Sequence, residues 1–202
     1  MRSSDKKPKL TSYDDIFSTE ESRQQEHIQW TSLRELHPFK NHPFRVLDDD
    51  RMMETVESVK AYGVLVPIIA RPSEDGYEIV SGHRRKRACE LAGLDEIPVI
   101  VRNLDDDEAV IIMVDSNLQR ENILPSERAK AYQMKLEAIK RQTARGRPVG
   151  DNSRQVGENY SVSKVAEDLG ESERQVQRFI RLNQLEQTLM DKVDSGKLAF
   201  TP

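Results

Sequence analysis

The stretch Tyr77–Gly93 allows few folds. Tyr77–Val80 has the composition of a short strand, it enters Ser81-Gly82, and a helical stretch then runs to Ala92 with Gly93 at the C-terminal cap position. The flanking sequence continues the alternation. Upstream, Asp48–Asp50 precede Met52, Val56 and Val59, spaced as one helical stripe, and Gly63 stands where a cap belongs. Val64–Ala70 is a β-branched run holding Pro67, which predicts a strand at a sheet edge or one with an interruption. Downstream, Ile97–Val101 reads as a third strand, and Asp105–Asp107 cap a helix carrying Ala109, Ile112 and Met113. Strands alternating with helices at this spacing predict an α/β or α+β domain that ends near residue 122.

The rest of the chain reads differently. Pro125 opens a long helix at the first-turn position that proline tolerates, with Ala129, Tyr132, Leu136 and Ile139 on one face. From Arg141 to Asn159, Gly, Pro, Ser, Asn and several arginines predict a loop, and a second helical unit starts around Ser161. Residues 1–29 are polar and without sustained period, as expected of a mobile arm, with Tyr13–Phe17 as a stretch able to dock on a partner. The predicted organisation is therefore an arm over 1–29, a domain over 30–122 beginning near Trp30, and a helical domain over 123–202.

One cysteine excludes an internal disulfide framework, and no apolar stretch approaches the roughly 18–20 residues of a membrane span. An intracellular protein without a membrane partner is expected. The net charge of −4 argues against nucleic acid only in sum, because base clusters locally at His83–Arg87 and between Lys140 and Arg154.

Two constellations carry chemistry. Gly82 sits between a strand and a helix N-terminus, where unpaired amide hydrogens and the helix dipole favour an anion. Arg84 and Arg87 share a helical face, Arg85 adds charge, and guanidinium groups grip phosphate bidentately. A solvated basic helix that follows a glycine satisfies the same spacing, and no Walker loop is present. Asn117, Arg120 and Glu121 fall where the first domain yields to the long helix; they suit phosphates and a hard cation, or equally a capping network around Pro125.

The second constellation is a helix-turn-helix over Ser161–Leu182. Ala166 is small where two helices cross, Gly170 suits the left-handed turn, and Val176 packs back, with Val165, Leu169, Phe179 and Ile180 completing the apolar set. Ser172 caps the second helix, on which Glu173, Arg174, Gln175, Gln177, Arg178 and Arg181 stay polar. Arginine and glutamine early on such a helix suit guanine and adenine in a major groove. A two-helix element with a merely solvated face is the plainer alternative.

In this order the chain resembles the ParB/RepB/Spo0J family of DNA-partition proteins over about residues 30–202. The matching residues are His37-Pro38, His42-Pro43-Phe44-Arg45, Gly63-Val64-Leu65-Val66-Pro67, Ser81-Gly82-His83-Arg84-Arg85-Lys86-Arg87-Ala88, Ser116-Asn117-Leu118-Gln119-Arg120 and the helix-turn-helix. The histidine after Gly82 looks like the branch carried by mobile elements of Gram-positive bacteria. The resemblance implies an α+β protein: a ParB/sulfiredoxin-like N-terminal α/β domain that binds CTP, followed by an all-α helix-turn-helix domain that recognises a centromere-like palindrome. It implies a homodimer that closes as a sliding clamp on double-stranded DNA, a ParA-type ATPase as partner, and a cytoplasmic, nucleoid-associated location. Family roles put triphosphate contacts at Gly82, Arg84, Arg85, Asn117 and Arg120, with Arg45 and Gly63 nearby and Asn117 as ligand to Mg2+. Ser81, His83, Arg87 and Glu121 complete the candidate pocket. Arg174, Gln177 and Arg178 would contact DNA, flanked by Ser172, Gln175 and Arg181.

Departures bear on the chemistry. His83 and Ser116 stand where the family usually has glutamate, so CTP binding is expected ahead of efficient hydrolysis. The segment 141–159 is longer than usual, and relatives continue into a C-terminal dimerisation domain, so a truncated chain is expected. Two other classes compete. One is a nucleotide-independent helix-turn-helix regulator. The other is a phosphotransferase of the sulfiredoxin or free-serine-kinase fold; a kinase would use Glu121 as its candidate acid, and the absence of a cysteine beside His83 rules against sulfiredoxin chemistry.

Overall fold

The computed structural model describes residues 27–120, 122–145 and 153–200, with side chains of the last segment from residue 161 onward. Glu121, Tyr13–Phe17 and nearly all of the predicted arm lie outside the described residues. The elements are β1 (Ile28–Ser32), a 3-10 turn (Leu33–Glu35), β2 (Leu36–His37), α1 (Asp50–Tyr62), β3 (Ile68–Ser73), β4 (Gly76–Ser81), α2 (His83–Ala92), β5 (Glu96–Val101) and α3 (Asp106–Leu118). Helices α4 (Pro125–Arg145), α5 (Ser153–Leu169), α6 (Glu173–Leu182) and α7 (Gln187–Asp194) follow. The result is an α+β fold, as expected.

The strands form one mixed sheet in the order β1-β5-β3-β4-β2. β3 runs antiparallel to β4 and parallel to β5, while β1 closes one edge antiparallel to β5. Successive strand residues point to opposite faces, and here both faces are covered. Ile79 joins Met52, Val56, Ala88 and Cys89 under α1 and α2; Val80 joins Ala109, Met113 and Val114 under α3. The caps read from sequence hold. Asp49 Oδ1 accepts the Met52 N–H at 2.9 Å, and Asp105 with Glu108 forms a capping box at α3.

Helix α4 belongs to both halves. Ala129, Tyr132, Leu136 and Ile139 pack against Val165, Ala166, Val176 and Phe179, whereas Ala131 packs with Phe39, Phe44 and Met113 beside the sheet. Each large side chain so buried contributes about 1.5–3 kcal/mol relative to exposure.

Three expectations need correction. The strand expected over Val64–Ala70 begins only at Ile68 and lies in the middle of the sheet; Pro67, which has no N–H for a ladder, stands just outside it. The chain enters the sheet at Ile28, before Trp30. The loop expected over Arg141–Asn159 is helical at both ends. α4 runs on to Arg145 because Arg141 Nε lies 2.7 Å from Asp107 and Arg145 reaches Asp105 and Asp107 at 3.0 and 3.1 Å. α5 already starts at Ser153.

Candidate nucleotide pocket and nucleic-acid interface

Gly82 caps α2 with φ 110° and ψ 22°, and no side chain caps the helix. A Cβ at this position would lie 2.6 Å from Ile68 Cγ2 and 3.3 Å from Arg85 Cζ. Only glycine lets β4 turn into α2 so close to β3. The Arg85 guanidinium tucked beside this turn donates to the Val66 carbonyl at 2.7 Å and to the Pro67 carbonyl, and so ties down the stretch that follows Gly63. Burial lowers its pKa from the ordinary arginine value. Gly63 itself ends α1 at φ 70°, with open space where a Cβ would stand.

Arg84 and Arg87 do share a face, and that face meets acids. Arg84 Nη2 lies 2.9 Å from Asp49 Oδ1. Arg87 forms a two-point pair with Asp48, Nε to Oδ1 at 3.0 Å and Nη2 to Oδ2 at 2.6 Å, and also reaches Glu90 at 3.2 Å. The arginine hydrogen bonds hold both aspartates below the usual carboxylate range. The acids read only as helix caps are therefore the resting partners of the basic cluster.

The second group of candidate residues stands at the end of α3. Asn117 is buried; its Nδ2 donates to the Met113 carbonyl at 2.8 Å, and its Oδ1 has no hydrogen-bond partner among the described residues. The Arg120 N–H donates to the Asn117 carbonyl at 3.0 Å, and its guanidinium is unpaired among the described residues. Burial lowers the Arg120 pKa, and the positive charge of Arg84 adds to the effect while the Glu127 carboxylate opposes it, so Arg120 lies within electrostatic reach of both. An orphaned amide oxygen fits one corner of a magnesium shell whose remaining ligands are phosphate oxygens and water. No cluster of three His, Cys, Asp or Glu able to hold a metal occurs among the described residues. Arg45 is exposed, with its N–H on Glu127 Oε1 at 2.9 Å, and Ser81 is the last residue of β4.

His83 turns inward. Its Nε2 accepts the Phe39 N–H at 3.2 Å, and its ring lies against that of His42, with centroids 3.9 Å apart. Burial, with the charges of His42 and Arg120, pushes its pKa down to about 3, so the ring is neutral. His83 thus holds the loop beside the pocket from below. His42 Nδ1 donates to the Phe44 carbonyl at 2.7 Å, leaving Nε2 buried and unpartnered among the described residues. The sequence reading gave no site role to His42, Asp48, Asp49 or Glu127. A carboxylate within the first turn after Pro125 was the one available signal for Glu127, which grips Arg45 N and Leu124 N.

The helix-turn-helix forms as expected. Gly170 takes φ 65°, the Glu171 N–H donates to the Ala166 carbonyl at 2.9 Å, and Ser172 Oγ caps α6 by accepting the Gln175 N–H at 3.2 Å. Val176, Phe179 and Leu182 are buried. The turn is held against α4 by the Tyr132 hydroxyl on Glu171 at 2.7 Å. Arg174, Gln177, Arg178 and Arg181 are exposed and make no side-chain pair among the described residues, in contrast to Arg84, Arg85 and Arg87; Gln175 is half-buried. Free guanidiniums on one helix face are available for phosphates and base edges.

A mixed sheet with helices on both faces, a glycine-capped arginine helix and a helix-turn-helix define the class. Residues 18–118 match the sequence model of the ParB N-terminal domain, and the chain belongs to the ParB family. It is 31% identical over 187 residues to a protein of Rickettsia bellii (strain RML369-C) named probable chromosome-partitioning protein ParB, covering 93% of this chain and 57% of that one. It is 32% identical over 176 residues to stage 0 sporulation protein J of Bacillus subtilis (strain 168), covering 87% and 56%. The chain thus spans a little over half the length of these relatives. Its fold is similar to that of the C-terminally truncated chromosome-partitioning protein ParB from Caulobacter crescentus complexed to the centromeric parS site, with TM-score 0.54, 27% identity and coverage of 85% of this chain and 80% of that one. No helix among the described residues is long and apolar enough to cross a membrane.

Proposed function

We propose that the chain is the nucleotide-binding and DNA-reading part of a DNA-partition protein, with a pocket unit over 30–122 and a reader over 123–202. Acting as a homodimer on a centromere-like palindrome, it takes CTP with Mg2+ at the Gly82 turn and closes as a sliding clamp. The observation that carries the reading is the division of arginines. Among the described residues, those of α6 are exposed and unpaired on a helix fixed by its apolar side, whereas Arg84, Arg85 and Arg87 are held by protein acceptors, and Arg120, without an ion-pair partner, follows a buried Asn117 whose oxygen is unsatisfied. The parS complex of the Caulobacter relative supports the DNA side. The choice of CTP rests on the family resemblance.

In this reading α6 enters the major groove and Arg174, Gln177 and Arg178 read base edges. At the pocket, the α2 N-terminus and Arg120 attract the phosphates, Arg84 exchanges Asp49 for them, and Asn117 Oδ1 offers one oxygen to magnesium. Magnesium supplies charge neutralisation between phosphates. His83 is neutral and occupied by the Phe39 amide, so it offers no base toward water, which favours binding over hydrolysis. A nucleotide-independent regulator is the second reading, favoured by the pairing of Arg84, Arg85 and Arg87 to protein acceptors.

Fluorescence anisotropy with a palindromic duplex selected by this chain from a random pool tests the proposal. CTP should change duplex binding and ATP should not. Identical binding with CTP, ATP and no nucleotide identifies the regulator instead.

A further inference from the structure

Lys135 lies in the middle of α4, its side chain 0% exposed, with Nζ 2.7 Å from Asp115 Oδ1 and 3.1 Å from Asp168 Oδ2. An ammonium removed from water is unfavourable unless paired, and an apolar side chain would fill the same space without that cost. The lysine is therefore held in place by these two carboxylates. The arrangement joins the two sites. Asp115 is on α3, two positions before Asn117, and Asp168 is on α5, two positions before the Gly170 turn. Of the polar contacts of α4 described above, only this one reaches both α3 and α5: Arg141 and Arg145 meet α3 residues and its N-cap, and Tyr132 meets the helix-turn-helix.

We infer that Lys135 is the positioning residue that couples the nucleotide pocket to the DNA reader, through exchange of its ammonium between Asp115 and Asp168. This rests on the function proposed above. Nζ holds both carboxylates at once here, and the asymmetry of burial lets it release either one. The side chains of Asp115 and Asp168 are 43% and 34% exposed, so either carboxylate can be given up to water, whereas the lysine cannot lose both. A ligand that shifts the Asn117 end of α3 displaces Asp115, changes the hold of Lys135 on Asp168 and biases the pose of α5 and α6. By linkage, DNA on α6 returns the same factor to the nucleotide.

The test uses the full chain with CTP, Mg2+ and the selected duplex, and compares the natural sequence with Lys135→Met, Asp115→Asn and Asp168→Asn. The two asparagine variants keep the lysine and the packing, and stay informative where Lys135→Met fails to fold. The readout is the ratio of duplex affinities with and without saturating CTP, which a merely structural role would not move on its own. In the natural chain a ratio of about fivefold or more is expected. In the variants it should fall below about twofold, with CTP affinity and nucleotide-free duplex affinity each within about threefold of natural. Folded variants that keep the natural ratio overturn the inference and leave the proposed function standing. A natural chain that binds no CTP overturns both.

Discussion

Arg84 Nη2 lies 2.9 Å from Asp49 Oδ1, and that same oxygen caps α1 by accepting the Met52 N–H at 2.9 Å. An arginine so held reaches a phosphate only by leaving one anion for another. The exchange is cheap, because ion pairs this exposed gain little over their hydrated charges. Asp49→Asn keeps the cap, since asparagine serves there as well as aspartate, and removes the competing charge. Calorimetry should find CTP bound up to about fivefold more tightly than by the natural chain. Weaker binding by the variant would contradict Arg84 as a phosphate contact.

Gly82→Ala should destabilise the chain. The left-handed backbone and the 2.6 Å approach to Ile68 act together, at an expected cost above the ~1–3 kcal/mol of backbone strain alone. Gly63→Ala, where a Cβ meets nothing, should cost about 1–3 kcal/mol from the backbone alone, since φ 70° with ψ −167° is open essentially only to glycine, and Gly82→Ala adds its clash to a comparable strain. Urea unfolding of the two variants checks the order; a Gly63 variant weaker than the Gly82 variant would contradict it.

The neutral histidine makes stability depend on pH. His83 sits at about 3 in the folded chain against an ordinary 6.5. Between those values the unfolded chain takes up a proton that the folded chain refuses. Stability is therefore complete above about pH 6.5 and falls as pH drops toward 3, by up to about 1.4 kcal/mol per pH unit from this group. His42, shifted the same way by burial, steepens the loss. Denaturant titrations at pH 7 and pH 5 should show a smaller drop for His83→Gln than for the natural chain. Equal drops would show that the ring is solvated.

What the sequence made legible was local. Gly82, Gly93 and Gly170 announce positive φ, Asp49 and Asp105 announce caps, and the spacing of Ala166, Val176 and Phe179 announces a crossing of two helices. What stayed hidden were the choices between distant partners. Nothing in Asp48–Asp50 says that Asp49, the cap, also holds Arg84 and that Asp48 holds Arg87, 35 and 39 positions away. Lys135 carries no local signal of burial, since most lysines are exposed; its burial follows only from α3 and α5 meeting on α4. The central place of β3 was hidden for the same reason, since Pro67 marks a break in the chain but not which strands flank it. His83 read as facing a ligand, whereas the Phe39 amide claims its Nε2.

Substitutions should separate the two sites. Arg178→Ala should weaken duplex binding by about 1–3 kcal/mol, the worth of a base contact, and leave CTP affinity unchanged. Arg85→Ala releases Val66 and Pro67 and should lower CTP affinity with nucleotide-free duplex binding intact. Duplex affinity should fall steeply with salt in both. Parallel loss of both activities in each variant would contradict two sites.

Calorimetric titration of CTP and of ATP, each with Mg2+, into the full chain tests the pocket most directly. The account predicts saturable CTP binding, lost in Arg120→Ala, with ATP bound at least about tenfold more weakly, a difference of about 1.4 kcal/mol. Equal heats for both nucleotides, or none for either, would contradict it.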